Sequence, residues 1–274
     1  MKVTSREYPV SPILKPYVEC YWSQESDGTP QEYSSMQRCL PLGMSELIFQ
    51  VGEIHQLGIV DEDGNPFPKA YIEGMMDESV LWQMPGASSI FGARLKPEGL
   101  IQLFRRPLAY FFNNFVLVED FFGYDSKILI ENIQNAATHR ERIAILEYFL
   151  ISQLKQSKPK HNYFTEAMKK IRSSNGNISI ETLSKTLYVC ERQLQRAFKV
   201  NLGLSPKTYQ RIIRFSNTYN SILQREELNW AELAQQYDYA DQAHFIRDFK
   251  QFAGATPNVV LNEIISKAKP VLSY

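Results

Sequence analysis

Two strings 51 positions apart constrain this chain more than anything else in it. QLQRAFKVNLGLSP (193–206) and HFIRDFKQFAGATP (244–257) both run apolar residue, any residue, Arg, any residue, Phe-Lys, and both close on Gly, one residue, then Ser or Thr before Pro. A sequence that repeats itself at this grain is using one supersecondary unit twice. The unit is helical: Leu194, Ala197, Phe198 and Leu202 recur at intervals of three and four, Gly203 stands where a helix C-cap belongs, and Ser205-Pro206 opens the next helix with a cap and a first-turn proline.

What surrounds the two strings fixes the unit further. An amphipathic helix around Phe164–Arg172 stops at SSNGN (173–177), and a short helix beginning near Ser179, with Leu183 and Leu187 inward, precedes the first string. Before the second string come Ala231, Leu233 and Ala234, a turn at DYA (238–240), and Asp241 as an N-cap, followed by Phe245, Phe249 and Phe252 inward. A short helix, a tight turn and a second helix with an apolar inner face make a helix-turn-helix. Between the copies Tyr209, Ile212, Ile213, Ser216, Tyr219 and Leu223 trace the inner stripe of one long helix, roughly 30 Å for about twenty residues.

The outer faces carry the chemistry. Arg192, Gln195 and Arg196, with Lys199 one turn on, present groups that pair with guanine O6/N7, with adenine and with phosphate; the second copy presents Gln242, His244 and Arg247. Net charge is zero for the whole chain, but it divides. Residues 1–157 hold 13 Lys and Arg against 20 Asp and Glu, and residues 158–274 hold 17 against 10, a −7 half followed by a +7 half. A basic half suits a polyanionic partner.

The segment from about 160 to 265 resembles the DNA-binding domain of the AraC/XylS family of bacterial transcription regulators, chiefly through DQAHFIRDFKQFAGATP (241–257). The resemblance implies an all-α domain, 159–274, with two helix-turn-helix motifs joined by the long helix 206–224, double-stranded DNA as ligand and RNA polymerase as protein partner. It places Arg192, Gln195, Arg196, Gln242, His244 and Arg247 toward DNA. Two residues depart from the pattern: Asp238 stands where the turn commonly has Gly, and Cys190 where Ser or Thr often caps the first recognition helix.

The first 120 residues read differently. Short apolar runs such as ELIFQV (46–51) and SSIFGARL (88–95) alternate with turn signals DGTP (27–30), DEDGNP (61–66) and MPGA (84–87), and the pattern turns helical only at KPEGLIQLF (96–104). Residues 1–125 are therefore expected as a β-rich barrel or sandwich with flanking helices, giving an α+β chain overall. CLPLGMSELIFQVGE (39–53) and FGARLKPEGLIQLF (91–104) resemble the cupin-like sensor domains attached to such regulators, which implies a sensor or an oligomerisation role, with an unnamed small-molecule effector in the first case. Tyr21, Trp22, Phe49 and Trp82 are the candidate ligand contacts, with the hydrophobic core as their competing use. Residues 126–158 are expected as a helical linker whose stripe Ile143, Leu146, Phe149, Leu150 and Leu154 either packs on its own domain or forms the seam of a homodimer.

Catalysis finds little footing. His55 is alone in the β region, no H-x-H pair exists, and His139, His161 and His244 lie in helical or linker segments, so neither a metal nor another cofactor is expected and no catalytic residue is named. Cys20, Cys39 and Cys190 show no CxxC spacing and are expected as reduced thiols; some DNA-repair methyltransferases pair an AraC-like domain with a reactive Cys, but no PCHR-type setting occurs here. No run of about 18 apolar residues occurs and the N-terminus opens polar, so no membrane partner is expected and the cytoplasm is the expected compartment. The reading is a sequence-specific, effector-responsive regulator, with a non-regulatory DNA-tethered binding protein and a cupin-type enzyme as rivals.

Overall fold

In a computed structural model, residues 1–51, 59–104, 108–156, 162–224 and 228–266 are described; His55 and His161 lie outside them. The N-terminal half is built on strands β1 (Val3–Tyr8), β2 (Val18–Ser26), β3 (Gln37–Cys39), β4 (Ser45–Val51), β5 (Val60–Asp61), β6 (Ala70–Glu73), β7 (Val80–Gln83), β8 (Ser89–Leu95) and β9 (Phe115–Leu117). Six of them form an antiparallel sheet in the order β1-β2-β8-β4-β6-β9, and three form a second in the order β3-β7-β5. ELIFQV and SSIFGARL are thus the centre of the larger sheet.

Their near-continuous apolar character has a cause: both faces of that sheet are covered. Tyr21, Leu47, Phe49, Ile72, Phe91 and Ala93 belong to the main core, while Cys20, Trp22, Ile48, Tyr71 and Ile90 belong to a smaller one with Ile59 and Met84. Alternate residues of one strand therefore serve two cores. Phe49 and Phe91 are cross-strand partners, and the Tyr21 ring stacks on Phe91 at 6.5 Å. The DEDGNP turn closes on the Asp61 carboxylate, which accepts from the backbone N–H of Asp63 (3.0 Å) and Asn65 (2.8 Å).

Helices α1 (Pro97–Phe104), α2 (Val118–Phe122), α3 (Tyr124–Asn135) and α4 (His139–Lys155) follow. The stretch expected as one helical linker is two helices, because Thr138 and Glu141 form a capping box that restarts the chain at α4. Leu146, Phe149 and Leu150 are buried, and Ile143 and Leu154 pack against the same core, so the stripe faces inward. Glu147 of α4 accepts from Ser11 N–H (3.0 Å) and the Tyr21 hydroxyl (3.2 Å), which ties the helix to the strands.

The C-terminal half is α5 (Tyr163–Ser173), α6 (Ile180–Thr186), α7 (Glu191–Leu202), α8 (Pro206–Gln224), α9 (Trp230–Gln236), α10 (Gln242–Ala253) and α11 (Pro257–Ser266). Its boundaries are chemical. Asn162, Ser179, Asn229 and Asp241 each accept a backbone N–H from the first turn they cap, and Gly203 and Gly254 end α7 and α10 in left-handed conformation. Among the described residues, no helix is long and apolar enough to cross a membrane.

One carboxylate inside the N-terminal half is poised to report pH. The Cys39 thiol sits 3.7 Å from Glu73 Oε2, and loss of water, reinforced by the charge of Glu46, pushes the Glu73 pKa up to about 8. The folded chain therefore holds this proton over a range in which the unfolded chain, with an ordinary carboxylate, has released it. Stability should fall as pH rises from about 5 to 8 and level off above. Thermal unfolding of Glu73→Gln should lose most of that slope and exceed the wild type at pH 8; an unchanged slope would assign the pH response elsewhere.

Candidate nucleic-acid interface

Each recognition helix is held by apolar anchors on one side and free on the other. In α7, Leu194, Ala197, Phe198 and Leu202 are buried; in α10, Phe245, Phe249, Phe252 and Ala253 are. The rings of Phe198 and Phe249, equivalent in the repeat, reach α8 at Tyr209 (5.7 Å) and Phe215 (5.0 Å). With 19 residues, α8 is about 28 Å long; α7 meets it near its start, at Tyr209, and α10 meets it at its middle, at Phe215.

The outward residues fall where the periodicity puts them. Arg192, Gln195, Arg196 and Lys199 are exposed along one side of α7, and Gln242 and Arg247 are exposed on α10. Lys199 is used locally, its Nζ donating to the Gly203 carbonyl at 2.8 Å. His244 is half-buried: its Nδ1 accepts from Ala240 N–H (3.3 Å), its own N–H is capped by Asp241, and its ring meets Tyr239 edge-on. Its counterpart in the repeat, Gln193, does the same job, accepting the Cys190 N–H at 2.9 Å. Both side chains fold back on their turns, and Gln193 thereby secures the start of α7 where Cys190 replaces the usual Ser or Thr.

The second face is less polar than the first. Superposing the repeat puts Ala243 and Ile246 opposite Arg192 and Gln195, while Arg247 and Lys250 match Arg196 and Lys199. Alanine and isoleucine can meet a thymine methyl but cannot read a hydrogen-bonding edge.

The turns before the two helices each carry one left-handed residue, Tyr188 (φ 55°) and Asp238 (φ 53°). Asp tolerates that geometry; a tyrosine pays about 1–2 kcal/mol for it.

An ion pair invisible to apolar periodicity fixes the second unit. Arg211 of α8 donates through Nε to Asp248 Oδ1 at 2.9 Å, pairs again through a second nitrogen, reaches Gln251, and lies over the Phe252 ring at 5.0 Å. Asp248 is 5% exposed and stands where the first copy has Ala197, so an acid at an inner position of the repeat was the signal in the sequence. Arg211→Ala, which strands a buried carboxylate, should cost about 2–4 kcal/mol in denaturant unfolding. Arg211→Met with Asp248→Ala, restoring the first copy's pattern, should recover most of it; a double variant as unstable as the single would break this account.

The N-terminal half touches the far ends of both recognition helices. Arg38 donates to the Ala253 carbonyl (2.8 Å), as does Ser79 Oγ (2.9 Å), and the same guanidinium grips Glu263 of α11 through two bonds of 3.1 and 2.9 Å. At α7, a Cβ on Gly203 would stand 2.6 Å from Phe112 Cβ and 3.0 Å from the Ala109 carbonyl, so glycine permits both the left-handed cap and the contact. Arg172 of α5 bonds the Tyr209 hydroxyl and pairs with Glu98 of α1.

The four candidate ligand contacts are all packed side chains. Tyr21 and Phe49 are fully buried in the main core, Trp22 is buried in the smaller one, and Trp82 packs against it. Two cavities of about 10 and 30 Å³ lie elsewhere, the first lined by Ser45, Ile72, Met75, Leu100, Phe111 and Leu202, the second by residues that include Cys39, Glu46, Glu73 and Arg94. Each holds at most one or two waters. Among the described residues no group of three or more His, Cys, Asp or Glu is placed to hold a metal. Burial pushes the Cys20 thiol up to about 12 and raises Cys39 as well, while Cys190 is exposed.

Two capped helix-turn-helix units set on one long helix define a double helix-turn-helix DNA-binding domain. Residues 183–263 match the family described as a helix-turn-helix domain, and residues 6–116 match a domain of unknown function, DUF6597. These matches support a regulator of the AraC type. It is 25% identical over 123 residues to the Msm operon regulatory protein of Streptococcus mutans, a match that covers 44% of each chain, so it spans less than half of that relative. The crystal structure of ToxT from Vibrio cholerae bound to (E)-4-(8-methylnaphthalen-1-yl)but-3-enoic acid shares the fold: TM-score 0.50, 9% identity, 96% of this chain and 99% of that one. The C-terminal domain of AraT, a response regulator from Geobacillus stearothermophilus, is 24% identical over 43% of this chain and 93% of that one, with TM-score 0.36.

Proposed function

We propose that this protein is a sequence-specific transcriptional regulator that binds double-stranded DNA through both helix-turn-helix units at once. The observation that carries the reading is a pair of outward faces, Arg192, Gln195 and Arg196 on α7 and Gln242 and Arg247 on α10, whose side chains are exposed and make no hydrogen bond or ion pair with other described residues. Such groups are free to pair with base edges, and the helix that joins the two units, about 28 Å long, is comparable with the ~34 Å between major-groove entries on one side of the duplex. Lys199 and the His244 Nε2 complete the set from the margins of the two faces. The N-terminal half serves as the responsive part: it bears on the C-terminal ends of both recognition helices, so a small-molecule effector that shifts it would shift their spacing. A homodimer and a contact with RNA polymerase complete the proposed partners, and action in the cytoplasm follows from action on the bacterial chromosome.

Selection of bound duplexes from a random pool should give two clusters of base preference about 10 bp apart. Arg196→Ala should relax the first cluster and Arg247→Ala the second, each at about 1–3 kcal/mol, with the larger change of preference from Arg196→Ala because its neighbours also read bases. The logarithm of affinity should fall by nearly one unit per phosphate contact for each unit in the logarithm of salt. A single cluster untouched by either substitution would sink the two-groove arrangement.

A further inference from the structure

We propose that Tyr188 is a DNA-contacting residue of the first helix-turn-helix unit, its ring and hydroxyl lying against the sugar–phosphate backbone at the edge of the groove that α7 enters. The proposal rests on the DNA-binding reading above and adds a contact which that reading does not contain.

Three observations converge on this side chain. Among the described residues Tyr188 is the most exposed of the large apolar and aromatic side chains, at 96%, and its ring and hydroxyl have no partner there. Its backbone is left-handed, with φ 55°, a conformation that a bulky residue adopts only at a cost. Glycine would fit the turn without that cost. Strain retained at an exposed position, with no internal contact to offset it, points to a use outside the folded chain.

Its position selects the occupant. Tyr188 lies two residues before Cys190, the N-cap of α7, and four before the exposed Arg192, while the exposed Lys185 of α6 accepts the Tyr188 N–H through its carbonyl at 3.2 Å. A tyrosine there stands beside the end of the recognition helix that carries its first base-reading group. Tyrosine is among the side chains that donate to phosphate oxygens, and its ring can cover a sugar. The second unit shows the contrast. Its left-handed turn residue is the exposed Asp238, which carries no ring, and its turn aromatic, Tyr239, is 5% exposed, lies under Arg214 at 5.3 Å and packs on Phe245, so it serves the core.

The test uses the full chain, a duplex selected by the wild type, and two readouts: dissociation constant at fixed salt and melting temperature of the free protein. Tyr188→Gly should weaken binding about tenfold, the size of one lost hydrogen bond to a charged group with its apolar cover. The same variant should melt about 1–3 °C higher, because the turn is relieved. Tyr188→Phe should fall between, and neither should alter which bases are selected, since a backbone contact carries no sequence information. Tyr148→Ala, at an exposed tyrosine of α4, should leave both readouts unchanged.

Wild-type affinity in Tyr188→Gly overturns the proposal. So does unchanged affinity with loss of promoter activation, which would assign the ring to a protein partner, and so does weaker binding accompanied by a lower melting temperature, which would make the role structural. A folded wild type that selects no duplex at all defeats the DNA-binding reading itself and this contact with it.

Discussion

Both halves of the repeat depend on one aromatic seam along α8. Phe198 and Phe249 are the same residue of the repeated string, and each drives its helix against α8, one at Tyr209 and the other at Phe215, with Phe252 adding a second contact to Phe215 at 5.4 Å. Fully buried aromatic rings contribute both transferred area and edge-on contact geometry, so they hold position as well as stability. Because α8 is a single hydrogen-bonded rod, fixing each recognition helix to it fixes the two to one another. The exposed arginines and glutamines then need no contact with each other to act together.

The two units nevertheless solve the attachment differently. The first keeps Ala197 at the inner position and closes with apolar contacts; the second puts Asp248 there and needs Arg211 to neutralise it. A buried carboxylate without its cation costs several kcal/mol, so this pair fixes register at some cost to stability. The outer faces differ in parallel, with Ala243 and Ile246 against Arg192 and Gln195. One fold unit, duplicated, thereby presents a polar outer face and a partly apolar one.

The N-terminal half meets this assembly at carbonyls and glycines. Arg38 and Ser79 share the Ala253 carbonyl at the negative end of α10, and the 3-10 turn Leu108–Phe111 leads into the surface that meets Gly203. A guanidinium is favourable at a helix C-terminus because the last carbonyls are unsatisfied and the helix dipole is negative there. These contacts leave the N-terminal ends of α7 and α10, which carry Arg192 and Gln242, facing solvent. The sheet beneath packs Tyr21, Phe49 and Phe91 into the main core and Trp22 into the smaller one.

Local rules were enough to find most of the architecture. The repeat, the caps at Ser179, Gly203, Ser205 and Asp241, the left-handed Asp238, the strands at 46–51 and 88–95 and the helical turn at residue 97 all follow from spacing and capping chemistry, which act within a few residues. Tertiary structure decided the rest. Which face of the 139–155 helix is covered, whether Tyr21 and Phe49 line a pocket or fill a core, that Arg38 caps a helix 215 residues away and that Asp248 pairs with Arg211 are all settled by contacts between distant segments. Periodicity reports that a side chain is apolar or that a charge is out of place. It is silent on what will come to lie against it, because that depends on how whole elements pack and not on the residues beside it in the chain.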